Sequence, residues 1–205
     1  MTALPMFPLG SVLLPHMPLP LHVFEERYRA LVRDCLDGDR TFGIVLIERG
    51  HEVGGGDVRF HVGCTARIAE AEETEDGRWG LIATGAERFR VDSWLPDDPY
   101  PRAEVTAMPD GDWTPDATIA LEQATGAFRR VIELASRLGT AVDDAVLERG
   151  GDPVVDHWTL IARAPVGPLD RLAMLEAETP ERRLDLLTIQ LAELGTVLAS
   201  RLGGG

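Results

Sequence analysis

Five histidines, two cysteines and four serines are the side chains of this sequence that could most readily bind a metal or attack a carbonyl. Their spacing supports neither use. His16, His22, His51, His61 and His157 are scattered. His61 and Cys64 form an H-x-x-C pair, but no second pair completes a zinc site and no H-E-x-x-H occurs. Ser11, Ser93, Ser136 and Ser200 lie outside any G-x-S-x-G turn, and neither Cys35 nor Cys64 carries an activating signature. All 20 basic residues are arginine. Without lysine, these residues can form no phosphate-loop lysine, Schiff base or Ser-Lys dyad. The glycines at 54–56 precede Asp57 and a strand pattern rather than a helix, so they read as a flexible loop and not a dinucleotide fingerprint. No catalytic, cofactor-binding or metal-binding residue is expected.

Apolar recognition is the chemistry the residues do offer. Met6, Phe7, Met17, Phe24 and Tyr28 could form a groove for an unfolded polypeptide. Phe7 and Phe24 are expected in the core. Met17, between Pro15 and Pro18, is expected on an exposed loop, where Met17→Asp should leave stability nearly unchanged. The candidate peptide-binding residues are His16, Met17, Pro18 and Tyr28, with His51 and Val53 from the glycine-rich loop at the rim. The acidic run EAEETEDG at 70–77 reads as the solvated end of a hairpin.

Charge narrows the partners. With 34 acidic residues against 20 basic, the net charge is −14, which repels phosphate backbones unless a basic patch overrides it. The longest basic clusters are the pairs Arg129-Arg130 and Arg182-Arg183. The uncharged opening MTALPMFPLGSVLLPHMPLPLHVF suggests a leader or anchor, but Pro5, Pro8, Pro15, Pro18 and Pro20 forbid the helix either would need. It reads instead as short strands at Met6-Phe7, Val12 to Leu14 and Leu19 to Phe24, the start of a folded domain. A cytoplasmic protein with reduced, buried thiols is expected.

The elements that must position these residues follow from periodicity. Tyr28, Leu31, Val32, Cys35 and Leu36 mark an amphipathic helix over 25–37, stopped by Gly38. A buried strand follows over 41–48, then a long alternating strand through Val62, Cys64, Ala66 and Ile68, and a hairpin at TEDGR. WGLIATG, AERFRVDSWL and PRAEVTAM continue the strands. Beyond Pro115 the pattern is helical, with a seam at Ala117, Leu121, Ala124, Phe128, Val131, Ala135 and Leu138. Shorter pieces lie near 143–149 and 154–163, and a last helix starts at Pro180 behind a Thr179 cap.

Several ordered motifs then become specific. PMFPLGSVLLPHMPLPLHVFEERYRALVRDCL, FGIVLIERGHEVGGGD, VGCTARI, ERFRV, WLPDDPYPRAEV and the late APVGPLDRLAMLEAETPERRLDLL resemble the substrate-binding domain at the N-terminus of Lon proteases. They are most similar to the stand-alone bacterial proteins of that kind. The resemblance implies an α+β chain: a PUA-like β pseudobarrel with one inserted helix over 1–112, then a helical bundle over 113–205. It also implies a non-enzymatic module without the ATPase or protease domain of Lon. Such a module would bind unfolded or extended polypeptide segments and deliver them to a protease or modulate one. The alternative is RNA or modified-nucleotide binding through the PUA-like barrel. A continuous arginine-lined face would favour RNA, and an apolar groove would favour peptide.

Overall fold

The computed structural model describes residues 2–50, 58–140 and 150–203. The chain divides into two compact units, Met1–Pro109 and Asp110–Gly205, so Asp110, Gly111 and Asp112 group with the helices. The first unit contains β1 (Thr2–Leu9), β2 (Pro18–Val23), α1 (Glu26–Asp37), β3 (Thr41–Arg49), β4 (Val58–Glu73), β5 (Trp79–Leu95) and β6 (Arg102–Met108). Its six strands run in the order β2-β5-β4-β3-β1-β6, and a further β5–β6 pairing turns that order back on itself as a pseudobarrel. The length of β5 permits this. Trp79 to Thr84 pair with β2, while Arg88 to Leu95 pair with β6.

β1 runs parallel to β3, a pairing that cannot be closed by a tight hairpin, and the chain crosses over through β2 and α1. The apolar stripe of α1, Tyr28, Leu31, Val32 and Cys35, is buried with Phe7, Phe42, Ile44, Cys64 and Ala66. Each large apolar side chain so buried contributes roughly 1.5–3 kcal/mol. A second cluster, with Leu4, Met6, Val45, Phe89 and Val91, fills the region between β1, β3, β5 and β6.

Local readings of the strands and of Phe24 differ from the structure. Val12 to Leu14 form no strand. Leu13 and Leu14 are buried in an irregular link, held where the Met17 N–H donates to the Leu14 carbonyl at 3.2 Å. Gly85 makes room for this link, because a Cβ there would sit 2.1 Å from the Leu14 oxygen. WGLIATG and AERFRVDSWL are one 17-residue strand, β5, since irregularities in its pairing with β4 absorb the change of register. Phe24 is half exposed rather than core. The piece expected near 143–149 lies outside the described residues.

Cys35 and Cys64 are buried and not joined in a disulfide. Burial first, then Asp39 and Asp34, pushes the Cys35 thiol up to about 12. Both thiols are therefore expected to resist a disulfide reagent in the native protein and to react at once in denaturant. Rapid stoichiometric labelling of the native chain would contradict this burial.

The second unit contains α2 (Pro115–Arg137), α3 (Pro153–Arg163), α4 (Pro168–Glu176) and α5 (Pro180–Gly203). Thr114 caps α2 by accepting from the Ala117 N–H, and Thr179 caps α5 by accepting from the Arg182 N–H. α2 and α5 run parallel: Thr114 bonds Glu181 at one end, and Gly195 faces Val131 and Leu134 at the other. The α2 seam is buried through Leu134, whereas Ala135 is half-buried and Leu138 is exposed. The chain is thus α+β, a pseudobarrel with one inserted helix followed by a helical bundle. Among the described residues, no helix is long and apolar enough to cross a membrane.

Candidate functional site

β2 stands at one end of the strand order. Its partner strand fixes which backbone groups face outward. The Gly85 N–H donates to the Met17 carbonyl at 2.9 Å, so the backbone groups of Met17, and by alternation Leu19 and Leu21, point to β5. Those of Pro18, Pro20 and His22 point to the open edge. That edge presents three carbonyls but a single donor, the His22 N–H, because each proline lacks one. Strand addition needs alternating donors and acceptors, so the two prolines disfavour it here.

Beside this edge lies an apolar cleft of about 240 Å³ whose lining includes Phe7, Leu9, Pro20, Phe24, Glu25 and Tyr28. Phe7 and Tyr28 stack with centroids 4.1 Å apart, a rigid floor built from β1 and α1. The Arg27 guanidinium covers the Tyr28 ring at 4.4 Å and is held by Glu25, Nε to Oε2, at 3.2 Å. Arg27 Nη2 is buried and has no hydrogen-bond acceptor among the described residues. Phe24 is 50% exposed.

The apolar surface continues across the adjoining sheet. Paired residues share a face, so Pro20 lies beside Ile82 and His22 beside Gly80. Ile82 is 45% exposed, and a Cβ on Gly80 would meet nothing within 4 Å, which leaves an open dip in the face. One strand further, Ile82 neighbours Glu70 and Gly80 neighbours Glu72, while Arg67 neighbours Thr84 at the Pro18 end.

The expected site residues are only partly gathered here. Tyr28 is 3% exposed and takes part as floor, not rim. Met17 is half-buried and packs against the pseudobarrel core, because the Leu14 turn folds it inward. Met17→Asp is therefore expected to destabilise. His16 is exposed with φ of 64°, and its N–H donates to the Gly85 carbonyl at 2.8 Å, while Pro18 is exposed on β2. His51 and Val53 lie outside the described residues. Phe24 and Ile82 were missed as surface residues. The signal for Phe24 is the strand alternation, since Leu19, Leu21 and Val23 face inward and position 24 therefore does not.

A larger groove of about 620 Å³ lies between α2 and α5, where Gly126, Ala127, Ala192 and Gly195 leave little side chain to fill it. It carries Arg130 but no exposed aromatic side chain. The cleft beside β2, with Phe24 at its wall, is the better fit to an apolar ligand.

Residues 3–193 match the family described as the ATP-dependent protease La (LON) substrate-binding domain. Lon protease 2 of Myxococcus xanthus is 31% identical over 150 residues, which is 70% of this chain and 18% of that protein. A Lon N-terminal domain protein from Xanthomonas campestris superposes with a TM-score of 0.66 at 30% identity, covering 91% of this chain and 97% of that one. The N-terminal domain of the Mycobacterium avium complex Lon protease gives 0.68 at 15% identity, covering 93% and 98%, a likeness of fold. The chain spans about a quarter or less of the length of the curated Lon proteases it matches.

Proposed function

Since the chain belongs to the family of the ATP-dependent protease La (LON) substrate-binding domain, we propose that it is a non-enzymatic module that binds exposed apolar or extended polypeptide segments. Its role in this reading is to deliver such segments to a protease or to regulate one. The observation that carries the proposal is the apolar cleft beside the β2 edge, with a stacked aromatic floor and a half-exposed Phe24. A soluble chain that leaves a large aromatic ring half in water beside a cleft has apolar surface to offer a ligand. The cleft is large enough for one or two side chains and too small for a folded partner. Affinity therefore comes from side chains seated in it, with backbone pairing limited to the acceptors of the β2 edge.

The test is a titration of the purified chain with a reduced, unfolded protein, run beside a melting curve. Phe24→Ser is expected to keep stability within about 1 kcal/mol, as for surface changes, while weakening binding roughly five- to tenfold, the loss of one aromatic anchor. Unchanged affinity in a stable variant removes the cleft from the recognition surface. No affinity in the wild type removes the proposed function.

A further inference from the structure

Apolar contact alone does not explain the polar groups around the cleft. Pro18, Pro20 and His22 turn three carbonyls outward with one donor among them. On the sheet face that continues from the cleft, Ile82 is flanked by Glu70 and the open position at Gly80 by Glu72. Glu73 and Glu75 extend the acidic run toward the hairpin tip. Arginines surround it. Arg27 is neutralised by Glu25 at 3.2 Å, Arg78 pairs with Asp76 at 3.0 Å and Arg29 reaches Gly77, both at the hairpin, and Arg67 sits at the opposite end of the face, beside Thr84 and Pro18. Apolar surface and the exposed carboxylates of Glu70 and Glu72, which form no ion pair among the described residues, thus adjoin one another across β5.

We propose that this face selects polypeptide segments in which an apolar or aromatic residue stands next to arginine or lysine, with the basic side chain lying toward Glu70 and Glu72. The proposal rests on the cleft being the recognition site and adds the charge of the ligand. The apolar side chain fills the space beside Phe24 and over the Phe7–Tyr28 stack. The basic neighbour supplies opposite charge to the carboxylates across β5. An acidic neighbour would face like charge, which makes the same carboxylates selective against it.

The experiment uses the full chain and three fluorescein-labelled, unstructured peptides with one Leu-Phe-Leu core, flanked by Arg, Gln or Glu. At low salt the Arg-flanked peptide should bind roughly three- to tenfold more tightly than the Gln-flanked one, with the Glu-flanked peptide weakest. The preference should fade at high salt, as interactions of exposed charges do. Glu70→Gln with Glu72→Gln, both on exposed side chains, should abolish the preference, so that the three peptides bind within twofold of one another. If the three wild-type affinities agree within twofold, or the preference survives the double substitution, the charge selection is wrong while the apolar reading stands. If none of the peptides competes with unfolded protein and Phe24→Ser changes nothing, the cleft itself is not the site and both fail.

Discussion

An Arg183→Ala variant is expected to lose roughly 2–5 kcal/mol from the helical unit, the range for truncating a large buried side chain, with buried carbonyls stripped of their donor. Arg183 is fully buried on α5. Its Nη2 lies 3.2 Å from the Asp110 carboxylate and also donates to the carbonyls of Asp110 and Glu178, at 3.2 and 3.3 Å. Its Nε donates to the Ala177 carbonyl at 3.2 Å, and its guanidinium lies 4.6 Å over the Trp158 ring. Alanine removes every one of these donors and opens a cavity under Trp158, whose own Nε1 donates to Asp110 at 3.0 Å. Lysine keeps the charge but cannot reproduce the planar fork, so Arg183→Lys should recover only a fraction. Arg182→Ala, on the exposed neighbour, is the control and should cost less than about 0.5 kcal/mol. The chain has two compact units and need not melt as one, so the readout is hydrogen exchange of the α3 and α5 amides. A loss below about 1 kcal/mol would show that the network is incidental.

That arginine marks where sequence reading stops. Arg182-Arg183 reads as a basic pair inside a helix, and the 3.6-residue period does place position 183 on the inward face with Leu184 and Leu187. Nothing in the pattern says that the carbonyls ending α4 and the backbone at Asp110 converge there, because those partners are distant along the chain. The strands were legible for the opposite reason: alternation at Val62, Cys64, Ala66 and Ile68 is a local signal, and each of these residues is buried. The start of α5 was legible through its cap, Thr179 with Pro180. Met17 and Phe24 were exchanged between surface and core. Proline spacing suggested a loose loop, whereas the tight turn at His16 pins Met17 inward and strand alternation turns Phe24 outward. The open edge of β2 needed both the proline pattern, visible in sequence, and the strand order, which is not. Only their combination shows that the edge carries one donor against three carbonyls.

The same buried network gives the helical unit a pH dependence carried by His157. Its ring is fully buried, lies 4.6 and 5.5 Å from the rings of Trp158 and Trp113, and has Nε2 3.4 Å from Arg183 Nη1. Burial first, then the Arg183 charge, lowers its pKa from 6.5 to about 4, against a smaller opposing pull from Asp110. The unfolded chain takes up this proton as pH falls below about 6.5, and the folded chain refuses it until about 4. Neutral His157 therefore contributes its full stabilisation above pH 6.5, and that contribution drains away between pH 6.5 and 4, a loss on the order of 3 kcal/mol. Carboxylates titrate in the lower part of this window, so the decisive quantity is the difference between wild type and His157→Gln, which keeps a polar side chain but cannot take up the proton. Wild-type stability of α3 and α5 should fall more steeply than that of the variant from pH 6.5 downward, and the two curves should run parallel again below pH 4. Curves that stay parallel throughout would mean that His157 is hydrated or freely protonated in the folded chain. Paired with Arg183→Ala, the measurement also separates the causes: without the guanidinium, the His157 pKa should rise only in part, because burial is the larger influence.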